Sequence, residues 1–225
     1  MTITEAAMVI QEFQKGSLSD TIADLEIGLR ASGLAECKSR LGSQKINSEL
    51  LTAALLLKRE AGQINVLIHS VGILVILPCI LEEDEKIEYV SLGAGNTGRT
   101  FDLETNTRIA EFKFVNWRGG AEAIRQNSLF KDFYMLAECD TDKQRFLYLI
   151  GTRHPMRFLN SSRALESVMS RNIRLWNDFR ERYGKQFSKV YEYYEYRKDL
   201  VRIVDVSKIV PVVSGLTVVE DIDLS

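Results

Sequence analysis

The sequence predicts an α/β fold: a three-layer α-β-α sandwich with a mixed central sheet, plus helical decorations. Three observations carry this expectation. Residues 47–61 place Leu50, Leu51, Ala54, Leu55 and Leu57 at helical spacing. From Ile64 onward the chain turns to β-branched runs broken by glycine and acidic turns. A second helical pattern over 119–138 is then followed by one more apolar run at 145–151. Helix, strands, helix, strand is the order of a sheet covered on both faces.

Composition permits such a fold. The chain has 225 residues, 45% hydrophobic and 27% charged, which suits a folded domain with a sizeable core and argues against a disordered chain. No repeat, low-complexity tract or Pro/Ser linker divides it, so a single domain is expected. Its core would span about 45–152, with helices before it and a helical, short-strand extension after it.

Residues 4–39 read as helical, with Ser19 and Asp20 as a start signal and breaks at Gly16 and Gly33. Asn47 or Ser48 caps the next helix, and Glu49 stands in its first turn, where the helix dipole favours an anion. Strands are expected at 64–69 and 73–81, split at Gly72, then at 87–90, 99–104 and 108–115. A long helix is expected from Ser161 or Ser162 to Tyr183, extending over 186–196. Short strands near Val201, Ile209 and Leu216 close the chain.

Several function classes are set aside here. Cys37, Cys79 and Cys139 form no CxxC pair and lie far from His69 and His154, so a thiolate zinc site is not expected; buried free thiols are. Gly93, Gly95 and Gly98 spell GxGxxG but precede a strand, whereas a dinucleotide site needs a helix there. The N-terminus lacks a basic, then apolar, leader, and the run 66–81 is interrupted by His69, Ser70, Gly72 and Pro78. Both point to a cytoplasmic protein without a membrane partner. A net charge of -2 excludes a general nucleic-acid coat protein but not an enzyme whose acidic centre offsets basic contacts elsewhere.

The informative stretch is 99–114. Thr105 and Asn106 make a turn between two strand-like runs. Glu111 and Lys113 are two apart, so on a strand they share one face, with Phe112 and Phe114 on the other. A hairpin loop of two or four residues puts Asp102 opposite Ile109, on the face of Glu111 and diagonally across from it; a three-residue loop puts it on the wrong face unless a bulge corrects it. Two hard carboxylates suit Mg²⁺, or Mn²⁺ in its place, and a metal lowers the pKa of bound water and offsets phosphate charge. Lys113 either orients the attacking water or holds the phosphate.

Asp102 followed by Glu111, Phe112 and Lys113 resembles the PD-(D/E)xK motif of restriction-endonuclease-like nucleases, across about the middle half of the chain. The resemblance implies a core of helix 47–61, strands 73–81, 99–104 and 108–115, helix 119–138 and strand 145–151. It also implies a metal-dependent DNA endonuclease of restriction or phage-defence type. Asp102 and Glu111 would bind the metal, the Ala110 carbonyl would add a ligand, and Lys113 would assist the water. Glu49 matches the acid that many members carry on the first helix, and Arg125 and Gln126 match the residues some carry after the lysine. Thr100 and Phe101 replace the usual residues before the aspartate, and the gap from Asp102 to Glu111 is short.

Between Arg153 and Asp199 eleven basic residues face six acidic ones, so this arm, with Arg171 and Arg174, is a second expected nucleic-acid contact. An aromatic stripe packed on the core explains Trp176, Phe179, Tyr183 and Phe187 as well. Tyr191, Tyr193, Tyr194 and Tyr196 suggest a dimer or partner surface. The alternative to an enzyme is a nuclease-like fold that only binds nucleic acid or assembles with a partner protein.

Overall fold

The computed structural model describes residues 1–14, 17–30, 33–43, 46–93, 100–114, 117 and 122–210. The chain divides into two compact units, Met1–Asn65 and Val66–Ser225.

The first unit is helical: α1 (Ile3–Gln14), α2 (Leu18–Leu29), α3 (Leu34–Ser43) and the start of α4 (Ser48–Ile80). Thr2 and Glu5 form a reciprocal cap on α1, each backbone N–H donating to the other's side chain. The cap of α2 is Ser17 rather than the Ser19–Asp20 pair; its Oγ accepts from the Asp20 N–H at 3.3 Å. Asn47 caps α4 as expected, its Oδ1 accepting from the Leu50 N–H at 3.0 Å.

α4 is the largest correction. The strands expected at 64–69 and 73–81 do not form; the helix that starts at Ser48 runs unbroken to Ile80. β-branched residues lower helix propensity by only a few tenths of a kcal/mol each. Tertiary burial of Ile73, Ile76 and Leu77, at i, i+3 and i+4, outweighs that preference. By length and composition α4 is apolar enough to cross a bilayer. Its C-terminal part has a protein partner here, because these three side chains sit in a core formed with the sheet.

The second unit is built on a mixed five-stranded sheet of order β1-β2-β3-β4-β5. Its strands are β1 (Ile87–Val90), β2 (Leu103–Thr105), β3 (Arg108–Lys113), β4 (Gln144–Leu149) and β5 (Val201–Asp205). The first three pair antiparallel; β4 and β5 add in parallel. The parallel step from β3 to β4 needs a crossover, supplied by α5 (Ala123–Ala137). Strand alternation separates two cores. Ile109, Leu147 and Leu149 face α5 and the C-terminal helices. Ala110, Phe112, Phe146 and Tyr148 face Ile73, Ile76 and Leu77 of α4. Helices therefore cover both faces, an arrangement compatible with a three-layer sandwich.

Glycine 72 marks where α4 lies close to the sheet. A Cβ there would fall 2.8 Å from Phe114 Cζ. Gly72→Leu is expected to lower stability by about 1–3 kcal/mol through overpacking. Urea unfolding checks this, and an unchanged midpoint would show that the close approach does not hold α4 in place.

The expected long helix 161–183 is broken into α6 (Arg153–Leu159), α7 (Leu165–Met169) and α8 (Ile173–Tyr183), with α9 (Val190–Arg197) separate. Asn172 caps α8 and Gly184 ends it at positive φ. Burial follows the aromatic-stripe reading: Phe179 and Tyr193 are fully buried. Glu138 accepts hydrogen bonds from Tyr183 and Tyr193, both at 2.7 Å, and from Arg197 at 2.8 Å, tying α5 to α8 and α9. The tyrosine surface is thereby corrected: Tyr193 and Tyr194 are core, while Tyr191 and Tyr196 are exposed. The strand near Val201 forms. The one near Ile209 is instead a turn after the 3-10 turn Val206–Lys208, and the one near Leu216 lies outside the described residues.

Candidate functional site

β3 places Glu111 and Lys113 on one face, but the β2–β3 connection is Asn106 and Thr107 rather than the expected Thr105 and Asn106, because Thr105 ends β2, and Glu104 rather than Asp102 stands opposite Ile109. The register pairs Leu103 with Ala110 and Glu104 with Ile109. Asp102 sits just before β2. Its Oδ2 accepts from the Phe112 N–H at 3.0 Å, and its Oδ1 lies 3.6 Å from His69 Nε2 on α4. The imidazole packs edge-on to the Phe114 ring, centroids 5.9 Å apart.

Lys113 carries two acids. Its Nζ lies 3.0 Å from Glu111 Oε1 and 2.8 Å from Asp132 Oδ2. Asp132 projects from α5, is nearly fully buried, and has the Ser128 hydroxyl 3.4 Å from its Oδ2. Burial pushes the Glu111 carboxyl up to about 7; the Lys113 ammonium opposes this, while the carboxylates of Asp132 and Asp102 add to it. Asp132 is raised by burial too, against the pull of Lys113. Burial alone would lower Lys113, but Asp132 and Glu111 outweigh it, and the ammonium is held firmly protonated. Two largely buried carboxylates thus share one ammonium, with Asp102 near enough to raise both of them further.

That surplus of negative charge bears on a metal. Among the described residues no group of three or more His, Cys, Asp or Glu side chains is spaced to hold an ion. Mg²⁺ needs less than this, since it commonly keeps several waters and takes one or two carboxylates. Glu111 is raised chiefly by burial, with smaller additions from Asp132 and Asp102, and Asp102 is itself held by the Phe112 N–H and lies beside His69.

The other expected residues scatter. Ala110 is fully buried mid-strand, with Leu103 on one side and Phe146 on the other. Glu49 is exposed in the first turn of α4, within the first unit. Arg125 binds Glu122 at 2.7 Å and lines a cleft of about 270 Å³ with Lys113, Trp117 and Ser128. Gln126 lines a neighbouring cleft and accepts from the Arg163 guanidinium. Arg171 lines a third, of about 210 Å³, with Lys131 and Asn172. Arg174 is exposed on α8, near enough to Asp178 to help hold its carboxyl low, behind the bonds from Tyr134 and Arg182. The loop at Gly95 and Gly98 lies outside the described residues.

Sequence reasoning missed Asp132 and His69. Asp132 has a legible signal, a lone acid between Phe130 and Phe133 inside an apolar helix window. His69 has none once residues 64–69 are read as a strand. No protein-family model, no curated protein and no solved structure matches this chain.

Proposed function

We propose that the chain is a metal-dependent phosphodiester hydrolase with a restriction-endonuclease-like core, acting on nucleic acid, with DNA the expected substrate. One observation supports this most. Asp102, just before β2, accepts from the Phe112 N–H, between Glu111 and Lys113 of β3, inside the order α4-β1-β2-β3-α5-β4 with β4 parallel to β3.

Asp102 and Glu111 would hold Mg²⁺ or Mn²⁺, which supplies charge stabilisation at phosphate and an activated water. The remaining work falls to this chain's side chains. Lys113, fixed by Glu111 and Asp132, presents a permanent positive charge at the site, suited to a phosphate oxygen or to orienting the attacking water. The Phe112 N–H and His69 hold Asp102 from two sides, so its carboxylate is fixed before substrate arrives. No serine or cysteine nucleophile is required.

A second reading has its own observation. Lys113 is engaged by two carboxylates and Asp102 by a backbone N–H, so the charged groups satisfy one another as they stand. A core of this kind also serves as a nucleic-acid-binding or assembly module. Incubation of plasmid, single-stranded DNA and RNA with Mg²⁺ or Mn²⁺ separates the two readings. Wild type is expected to cut at least one substrate, and Glu111→Gln and Asp102→Asn to cut none. Equal behaviour of all three proteins on every substrate would leave the binding module.

A further inference from the structure

Beside the Lys113 cleft lies a second one, of about 340 Å³, lined by Gln126, His154, Arg157, Ser161 and Arg163 with Trp117 and Phe158 behind them. Trp117 lines both clefts, so they share a wall. The volume is in the range of small-ligand sites, about 300–1,000 Å³.

Its chemistry is one-sided, because no carboxylate is among its described lining residues. Several arginines near the sheet and α5 are answered by acids, Arg108 by Glu85, Arg125 by Glu122 and Arg197 by Glu138, while Arg145 and Arg202 of the sheet bond neutral oxygens. Arg157 and Arg163 are set apart by lining one cleft together. Among the described residues neither ion-pairs with a carboxylate within 4.0 Å, and Arg163 is held by neutral partners, the Gln126 amide oxygen and Ser167 Oγ. Gln126 and Ser167 thus steady a half-buried guanidinium without neutralising it. An imidazole, an amide and a hydroxyl complete the polar wall, and Trp117 and Phe158, ring centroids 6.0 Å apart, make the apolar one.

We propose that this cleft binds a phosphate of the nucleic-acid strand one or two nucleotides from the bond at Lys113. Arg157 and Arg163 take the phosphate oxygens, and the adjoining sugar or base packs toward Trp117. Two guanidiniums without acids form an anion site, and the planar forked donors match phosphate geometry. The shared Trp117 wall sets this site beside the cleft that Lys113 lines, as a strand running through both requires. This inference rests on the nucleic-acid reading of the Asp102, Glu111 and Lys113 site and adds a subsite to it.

The test is metal-free binding of a fluorescently labelled single-stranded oligonucleotide to the whole chain in EDTA, followed by anisotropy over a salt series. A 5′-mononucleotide and inorganic phosphate serve as competitors, and thermal melts check the fold. The double variant Arg157→Gln, Arg163→Gln is expected to bind at least about tenfold more weakly. Loss of two phosphate contacts should lower the slope of log K against log salt by about 1.4. Competition by the mononucleotide as well as by phosphate assigns a nucleotide subsite; competition by phosphate alone reduces it to an anion site and overturns the strand assignment. Unchanged affinity and salt slope in a folded double variant overturn the whole proposal. Because no metal is present, strand binding that depends on these arginines stands even if no substrate is ever cut, and cleavage without such dependence removes the subsite while leaving the enzyme.

Discussion

Lys113→Ala is expected to reduce strand cleavage by about 10²–10⁴-fold, the range for removing one positioned acid–base or charge-stabilising group. The loss has two physical parts that can be separated. The first is chemical: a permanent cation disappears from beside Glu111, where phosphate charge would develop. The second is structural: Glu111 and Asp132, both largely buried, lose their shared counter-charge. Removing one partner from a buried ionic group costs about 3–5 kcal/mol, although protonation of an acid already shifted upward softens this. Adding Asp132→Asn in the Lys113→Ala background removes one orphaned charge, so thermal stability should recover while cleavage does not. Asp132→Asn alone leaves Lys113 with Glu111 as its remaining acid, and a drop smaller than that of Lys113→Ala is expected. Single-turnover plasmid cleavage and melting curves measure the two effects. A Lys113→Ala protein that cuts as wild type does would remove this site from the chemistry.

Arg108→Met is expected to destabilise the fold by about 3–5 kcal/mol without touching that site, because it strands a buried carboxylate. Arg108 Nε and Nη2 each lie 2.5 Å from an oxygen of Glu85, whose side chain is fully enclosed. Nη1 donates to Tyr148 Oη at 3.0 Å, Thr105 Oγ1 donates to Glu85 at 2.6 Å, and the guanidinium stands over the Phe146 ring. This network joins the turn before β1 to β2, β3 and β4. Burial alone would push the Glu85 carboxyl up; the hydrogen bonds from Arg108 and Thr105 outweigh it and hold the group at about 2, against 4.5 unperturbed. A depressed folded-state pKa means stability that is fully present above pH 4.5 and is lost as pH falls toward 2. The part linked to Glu85 is about 3 kcal/mol. Denaturant melts between pH 6 and pH 2 should show this acid-labile share in wild type and not in Glu85→Leu, Arg108→Met. The doubly apolar variant should sit near wild-type stability at neutral pH. A single Arg108→Met protein as stable as wild type would rule out the buried pair as a fold determinant.

By itself the sequence determined the α/β class, the helical N-terminal region, the Asn47 cap, and strands expected at 87–90, 108–115, 145–151 and near Val201, which form within a residue or two of those bounds. It also put Glu111 and Lys113 on one face of β3, while the place of Asp102 depended on a loop length it left open. These are local matters: alternation along β3 and an even hairpin loop fix which face a side chain takes, whatever lies beyond. Tertiary structure alone decided the rest. Residues 64–80 are β-branched enough to read as strands, yet they form a helix, because one sheet face needed Ile73, Ile76 and Leu77 to cover it. That exchange brought His69 to Asp102, which a strand reading could not foresee. Asp132 meets Lys113 because the crossover lays α5 over β3, a contact nineteen residues apart in sequence that no local pattern encodes. Strand parity is written in consecutive residues; the choice of which helix covers which face is made by burial of apolar surface, which belongs to the whole chain.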